Sequence, residues 1–360
     1  MKKVQEHIEK GKDIFIGLED SKTTWKICVR CDRMIVHEFS MPANYENLRN
    51  YLLSRYPFCR IQLMYEAGFA GFWLHDQLEA DGVDCIVTPP NKVTEEKSNK
   101  VKTDRVDARR LSKNLENADF KSCHVPDREL REDRQISRTL VQVQKDITRT
   151  KNRIRRFFDF HGLNDEVRLG RWGTTDYKRL RTIQLGDSLR FSLNIFIDEL
   201  EQLLDYRKRL KTRLRELAKK DRYRETFGYF KSSPGIGWLT AIRLVLEWGE
   251  DLSRFKAGRS FSSFVGLTPS EYSTGKVIRK GRITRQSHTF VRGWLIQCAW
   301  AAIKKDPVLL QKYHDVSRNT GSKKKAIVAV ARKLSIRLWH LAVNKEVYEP
   351  GLIEEQPVVA

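Results

Sequence analysis

Two segments of the sequence place carboxylates where chemistry on phosphate esters needs them. "KTDRVDARRL" carries Asp104 and Asp107 three residues apart, and Thr103 before them has the side chain of a helix N-cap. The spacing predicts that both aspartates lie on one face of the first helical turns. Glu66 follows the mostly apolar run "RIQLMY", which is typical of a strand. One aspartate at a helix N-terminus is explained by the helix dipole, but this effect does not call for two on the same face.

A third carboxylate source ends the apolar run "IFIGLED", as Glu19 and Asp20. Carboxylates at the ends of adjacent strands, together with a helix pair, form the arrangement that binds Mg²⁺ or Mn²⁺ for two-metal phosphoryl transfer. We therefore expect a divalent metal site where these segments meet.

The elements that must position these carboxylates are predicted from apolar patterns in residues 1–125. Short apolar runs broken by turns predict a three-strand meander, "IFIGLE", "WKICVR" and "MIVHEF". Helix and strand patterns then alternate: a helix at about 44–56, a strand at 60–66, a helix near 69–81, a strand at 85–90 and a helix from Thr103. This order predicts a mixed sheet with helices packed on it, an α/β domain.

Residues 126–223 are predicted to form a helical linker with two heptad seams. Apolar residues step by three and four from Ile136 to His161 and again from Leu189 to Leu217, a coiled-coil pattern. Two interpretations are equally open, a helical hairpin folded on itself and a dimerisation arm. The solvent face of the first seam is strongly basic, which suits a phosphate backbone. Its cations are Lys145, Arg149, Lys151, Arg153, Arg155 and Arg156.

Residues 224–360 are predicted to form a mainly α domain, because strand signals stop after Pro126. Two helical patterns flank "PGIG", in which Gly235 and Gly237 let backbone N–H groups approach a phosphate. This pattern indicates a helix-hairpin-helix that contacts DNA, although a tight turn between core helices would have the same residues. A loop-rich segment dense in Ser, Thr, Gly and Arg follows, and helices are expected at about 288–305 and 323–344.

Composition narrows the partners of the chain. Its 68 Lys and Arg against 46 Asp and Glu leave a formal net charge of +22, which favours a polyanion such as nucleic acid. We expect no membrane span and no secretory signal, since no apolar run is long enough, and therefore a cytoplasmic protein associated with the nucleoid. The six cysteines are scattered and form neither a disulfide framework nor a zinc motif, so we expect them to be reduced and mostly buried.

Taken together and in order, the motifs resemble those of the DEDD-type insertion-sequence transposases, also called bridge recombinases. The motifs are "GLEDSK", "MYEAG", "KTDRVDARRL", "PGIGWLTA", and "GLTPSEYSTG" followed by "GRIT". The resemblance implies a ribonuclease H-like, Holliday-junction-resolvase-like N-terminal domain with four acidic residues, a helical linker and a C-terminal transposase domain whose serine attacks DNA. It further implies a structured non-coding guide RNA, and tetramers in which the serine of one subunit meets the carboxylates of another. If the heptad seam is a dimerisation arm, we expect a dimer that pairs again on nucleic acid.

Carried over residue by residue, the last three acidic residues of the family are Glu66, Asp104 and Asp107. The first is usually aspartate, where this chain has Glu19 followed by Asp20. We favour Glu19, because Asp20 would need the alternation of the strand to shift by one residue before its side chain faced the site.

The resemblance also points to a hydroxyl nucleophile in "PSEYSTG". We place it at Ser273, although many relatives have serine directly before the glycine, where this chain has Thr274. A primary hydroxyl is less hindered than the β-branched one of threonine. Nearby cations are expected to stabilise charge on the phosphate oxygens. They are Lys276, Arg279, Lys280 and Arg282.

The sequence thus favours a transposase that cuts and rejoins donor and target duplex DNA with a serine nucleophile and a carboxylate-bound metal. Two alternatives stay open at this point. One is a metal-dependent nuclease or junction resolvase that uses water and never bonds to DNA. The other is a non-catalytic architectural protein, which the acidic set argues against, because carboxylates weaken phosphate binding unless a cation bridges them.

Overall fold

The computed structural model describes residues 11–90 and 103–349, apart from residues 168, 171, 273, 275–278 and 284–288. The chain divides into two compact units, Met1–Pro126 and Asp127–Ala360. Each unit has its own hydrophobic core and is described separately. The division of the sequence into three parts stays a prediction.

The first unit is a five-stranded mixed sheet with helices on both faces. The strand order is β3-β2-β1-β4-β5; β1 pairs antiparallel with β2 and parallel with β4. This confirms the predicted α/β architecture. The elements are β1 (Asp13–Glu19), β2 (Thr24–Cys31), β3 (Met34–Pro42), α1 (Tyr45–Arg55), β4 (Arg60–Glu66), α2 (Trp73–Ala80), β5 (Asp84–Thr88) and α3 (Asp104–Glu116).

Side-chain alternation along β1 divides this unit into two layers. Ile14, Ile16 and Leu18 are fully buried in one cluster with leucines of α1 and α2. Because successive side chains of a strand point to opposite faces, Phe15, Gly17 and Glu19 point to the other face. There Met64 of β4 is buried with Leu111 and Leu115 of α3, and Phe15 packs against them. The acidic end of β1 therefore lies on the face that α3 covers.

Gly17 allows α3 to lie directly on the backbone of β1. A Cβ at this position would lie 2.1 Å from the carbonyl oxygen of Ala108 and 2.4 Å from the backbone nitrogen of Ser112. Any other residue would push the helix away from the sheet. An ion pair of 2.6 Å between Arg30 on β2 and Glu116 holds the other end of α3.

The second unit is mainly helical. Its elements are α4 (Arg128–Phe160), α5 (Asn164–Val167), α6 (Thr174–Thr182), α7 (Asp187–Leu217), α8 (Asp221–Ser232), α9 (Trp238–Trp248), α10 (Gly258–Phe264), β6 (Pro269–Glu271), β7 (Lys280–Ile283), α11 (Thr289–Ala302), α12 (Pro307–Thr320) and α13 (Lys323–Asn344). The short antiparallel hairpin β6–β7 corrects the expectation that strands end before Pro126. Its short runs, rich in Ser, Gly and Arg, lack the apolar alternation that marks a strand in sequence.

The two heptad seams pack against each other within one chain. Ile147 and Ile154 of α4 are buried in the same cluster as Leu193, Ile197 and Leu200 of α7. These positions are thus covered without a second copy of the protein, as the hairpin interpretation expects.

The cysteines are expected to be reduced and mostly buried, and no membrane span is expected. All six cysteines are free, and Cys28, Cys31, Cys85 and Cys298 are buried. In the part of the chain that is described, none of the helices combines the length and apolar character that crossing a bilayer requires.

Candidate active site

The structure brings the predicted carboxylates of the first unit together at one edge of the sheet. Leu18 of β1 pairs with Tyr65 of β4, so Glu19 and Glu66 follow at the same level of the two parallel strands. Helix α3 crosses β1 with Ala108 and Ser112 over Gly17, and its N-terminal turn points toward Glu19. Thr103 caps that turn, its hydroxyl accepting a hydrogen bond from the backbone N–H of Val106 at 3.4 Å, as predicted.

Negative charge is concentrated around Glu19. Burial, followed in order of size by the charges of Asp104, Asp20, Asp107 and Glu66, raises the pKa of its carboxyl to about 7. Within the described residues, Oε2 of Glu19 is buried and has no hydrogen-bond donor. A carboxylate oxygen placed like this among other carboxylates is stabilised by a cation.

Asp20 lies against the turn that follows β4. Its carboxylate accepts a hydrogen bond of 2.5 Å from the backbone N–H of Ala70, in the turn after β4. Burial raises the pKa of Asp20, while this hydrogen bond opposes the increase. Asp20 therefore serves the turn, and its placement favours Glu19 as the first acidic residue of the set.

Arg110 contacts two of the predicted carboxylates, although the sequence did not single it out. Its Nη2 lies 3.1 Å from Oε1 of Glu66 and 2.9 Å from Oδ1 of Asp107, so one guanidinium bridges two of the carboxylates. The Asp107–Arg110 spacing was the available signal, because residues three apart on a helix are neighbours. Glu66 lies 44 positions away and leaves no such signal.

Two further arginines fix α3 from its outer side. Nε of Arg105 lies 2.9 Å and Nε of Arg109 lies 2.6 Å from the carboxylate of Glu38 on β3. The arginines of "DRVDARRL" thus have different partners: Arg105 and Arg109 anchor the helix to Glu38, while Arg110 pairs with Glu66 and Asp107.

The donor set of the cluster fits a hard divalent cation. Carboxylate oxygens are the ligands that Mg²⁺ and Mn²⁺ prefer, and the orphaned Oε2 of Glu19 lies among them. Across the described residues, no group of three or more Asp, Glu, His or Cys side chains lies close enough together to hold a metal ion. In this arrangement Arg110 lies within hydrogen-bond distance of both Glu66 and Asp107.

The β6–β7 hairpin presents the second set of candidate residues. The backbone N–H of Tyr272 donates to the carbonyl of Arg279 at 2.9 Å and closes the two arms. Thr274, Arg279 and Arg282 are exposed. Ser273 and Lys276 lie outside the described residues, as does the side chain of Lys280.

The two glycines of "PGIG" occupy different environments. Gly235 has φ +83°, and a Cβ there would lie 2.4 Å from the carbonyl oxygen of Cys298 on α11. Its smallness therefore serves packing between helices. Gly237 is exposed, has no atom within 4 Å of the position of a Cβ, and directly precedes α9. Of the two, Gly237 has the space that a phosphate contact needs.

The basic face of α4 is partly neutralised within the chain. Arg149 pairs with Asp146, Arg153 with Glu199, and Arg156 with Asp159. Two other cations, Lys151 and Arg155, lie over the ring of Trp172 at 5.0 and 5.5 Å. Lys145 is exposed.

Comparison with known proteins points to one class of enzyme. Residues 16–162 match a DEDD model of the IS110 type described as a transposase, and residues 228–314 match the model "Transposase IS116/IS110/IS902 family". The chain is 27% identical to the transposase homologue y4rJ of Sinorhizobium fredii, over 96% of this chain and 95% of the relative. It is 23% identical to the transposase for insertion sequence element IS1533 of Leptospira borgpetersenii, over 91% and 95% of the two chains.

Removing the charge of Glu19 is expected to stabilise the metal-free protein. Glu19→Gln relieves repulsion among the carboxylates, so it should raise the melting temperature at pH 8 by about 2–4 °C. A raised folded pKa means that the native state holds the proton more tightly than the unfolded state. The gain should therefore be absent below about pH 4.5, where both states are protonated, and grow up to about pH 7.

Thermal melting in EDTA between pH 4 and 8 measures this effect. Asp20→Asn is the matched control, because it removes the adjacent charge but keeps an acceptor for the N–H of Ala70, and it should change the melting temperature less. A lower melting temperature for Glu19→Gln at pH 8 would contradict the repulsive cluster.

Proposed function

We propose that this chain, which belongs to the DEDD-type transposases of insertion sequences, cuts and rejoins DNA with a hydroxyl nucleophile and a divalent metal held by carboxylates. The observation that carries the proposal is the convergence of Glu19 and Glu66 with the N-terminal turn of α3 at one edge of the sheet. The family membership supplies the DNA substrate. The chemistry at this edge is our inference.

Glu19, Glu66, Asp104 and Asp107 would hold Mg²⁺ or Mn²⁺. A divalent cation polarises phosphate oxygens and lowers the barrier to their displacement. The residues of the chain prepare for this role in the metal-free state. Arg110 holds Glu66 and Asp107 near each other against their repulsion, and the Gly17 contact keeps α3 in place. A cationic phosphate-binding group is released for the substrate when Arg110 leaves the carboxylates.

We place the nucleophile at Ser273, with Thr274 as the alternative. The hydroxyl would attack the phosphorus and displace a deoxyribose oxygen, so that the phosphodiester bond is conserved as a bond to protein until the strand is rejoined. Arg279 and Arg282 are exposed on the same hairpin, where their guanidinium groups are available to phosphate oxygens. We assign the same role to Lys276 and Lys280. For "PGIG", we propose that Gly237 contacts the DNA backbone.

The arrangement of partners follows the family resemblance. We propose that the protein acts at the nucleoid on donor and target duplex DNA, guided by a structured RNA. We further propose that dimers assemble into a tetramer in which the nucleophile of one subunit meets the carboxylates of another. The heptad seam is buried within the chain and is not available to a second copy. Phe191 and Ile195 on α7 are exposed apolar residues, and they support self-association through the linker.

The alternatives predict different products. A water-using nuclease leaves cut DNA without a bond to protein, and an architectural protein leaves DNA intact. The transposase relatives favour neither alternative.

Recombination is expected to need both a metal and the carboxylates. Asp104→Asn, Asp107→Asn and Glu66→Gln should each reduce recombination of a supercoiled donor plasmid by at least about 100-fold, because each removes several kcal/mol of charge stabilisation. DNA binding should persist. Asp84→Asn is the control, since this half-exposed carboxylate lies at the start of β5, at the opposite edge of the sheet. Full recombination by one of the three variants removes that residue from the metal set.

RNA guidance predicts that one discrete RNA, transcribed beside the gene, copurifies with the protein at low salt. The RNA is expected to stay bound because the chain carries a net charge of +22, which attracts a phosphate backbone. Sequencing of the extracted RNA identifies it. Recombination that proceeds after ribonuclease treatment of the reconstituted protein, with only bulk cellular RNA bound, excludes a guide.

A covalent protein–DNA adduct is the expected product of the first cutting step. Digestion of the trapped adduct and mass spectrometry should locate the modified peptide at Ser273, and Ser273→Ala should abolish it because the attacking oxygen is lost. Thr274→Ala is the matched control and should retain the adduct. An adduct that persists in Ser273→Ala and vanishes in Thr274→Ala moves the nucleophile to Thr274. Persistence in both variants rules out this loop.

A further inference from the structure

A row of cations spans the two long helices of the second unit. Arg207, Lys211 and Arg215 are spaced four apart on α7, so they share one face of that helix. Lys151 and Arg155 are spaced four apart on α4, which packs against α7. Arg207 lies close enough to Lys151 and to Lys211 to lower the pKa of both amines, an effect second to their burial. We call these five residues the two-helix stripe.

Tryptophans bound the two-helix stripe at both ends. Lys151 and Arg155 lie 5.0 and 5.5 Å from the ring of Trp172. The guanidinium of Arg215 lies 4.5 Å from the ring of Trp238, the first residue of α9 after the open Gly237. Both indoles also pack against hydrophobic clusters of the unit. Their rings are thus occupied by the protein itself, which holds the cations in place and leaves little aromatic surface for stacking bases.

The cations of the two-helix stripe lack partners of opposite charge. Among the described residues, none of the five forms an ion pair, whereas Arg153, Arg209 and Arg213 on the same helices do. Like charges this close destabilise the folded chain. A surface selected only for stability would carry carboxylates here, as the neighbouring faces do. The stripe therefore suits a polyanion from outside the chain.

We propose that the two-helix stripe binds the phosphate backbone of duplex DNA. The stripe offers positive charge but neither side-chain amides nor free aromatic rings that could contact bases. It therefore suits duplex DNA, whose phosphate backbone is exposed while its bases are stacked inside. The stripe ends at Trp238, within the segment that matches the IS116/IS110/IS902 model, and the same segment contains the hairpin β6–β7. The inference rests on the DNA substrate of the proposed function and requires neither the metal nor the serine.

The test compares two triple variants of the full-length protein. Arg207→Gln, Lys211→Gln and Arg215→Gln remove three charges of the stripe. Lys208→Gln, Arg209→Gln and Arg213→Gln remove the same number from other faces of α7, where Arg209 and Arg213 have carboxylate partners. Affinity for a fluorescent random-sequence DNA duplex of about 30 base pairs is measured in EDTA between roughly 50 and 200 mM salt, the range over which phosphate contacts change affinity strongly.

The affinity of the stripe variant for DNA is expected to depend less steeply on salt concentration than that of the wild type. Each phosphate contact contributes about 0.9 to the slope of log affinity against log salt, so the slope should shrink by about 2.7. Over a fourfold change in salt this makes the loss of affinity about 40-fold smaller than in the wild type. The control triple should keep nearly the wild-type slope. Equal losses in both triples, or an unchanged slope in the stripe variant, overturn the proposal. A loss confined to duplex RNA of the same length overturns the assignment to DNA.

Two further measurements keep the test decisive. Lys151→Gln with Lys211→Gln leaves Arg215 on Trp238 and should still shrink the slope by about 1.8, which covers the case in which the triple variant does not fold. Removing crowded cations should leave the melting temperature unchanged or higher, whereas a purely structural role predicts a fall. Binding in EDTA requires neither metal nor recombination, so a failure of the catalytic proposal is seen separately from a failure of the stripe.

Discussion

The close contact of α3 with the backbone of β1 at Gly17 is the constraint on which the candidate active site depends. A helix held a side chain farther away would carry Asp104 and Asp107 away from Glu19. The same contact orients the N-terminal turn of α3 toward the strand ends, and three ion pairs, made by Arg30, Arg105 and Arg109, hold the helix in that position. The active site is thus built by packing first and by charge second.

Charge that the chain does not neutralise marks both proposed ligand sites. In the first unit the surplus is negative: the pKa of Glu19 is raised to about 7, and Arg110 pairs with two carboxylates of the cluster. In the second unit the surplus is positive and lies along the two-helix stripe. Each surplus is expected to lower the stability of the free protein. We propose that a ligand of opposite charge relieves it, a divalent cation in one case and a nucleic-acid backbone in the other.

The linker shows how a sequence pattern supports two structures. A heptad seam requires an apolar partner, and its residues are indifferent to whether the partner belongs to the same chain. In this protein α4 and α7 cover each other's apolar seams, and Phe191 and Ile195 of α7 stay exposed. The paired seams also carry the two rows of cations that form the stripe.

The sequence by itself determined the features that depend on local chemistry. Apolar alternation predicted the strands of the mixed sheet, the hydroxyl of Thr103 predicted the start of α3, and the types and spacing of Glu66, Asp104 and Asp107 predicted an acidic site. Such signals survive in a linear pattern because each involves residues a few positions apart.

Only the tertiary structure decided which distant residues meet. It directed Asp20 to the turn at Ala70 and Glu19 to α3, placed Arg110 against Glu66, and set Gly235 against α11. It also corrected the absence of strands after Pro126 and joined cations of α4 and α7 into one stripe. These contacts join residues far apart in the chain, where no helical or strand period relates one position to the other, so their partners are set by packing between elements.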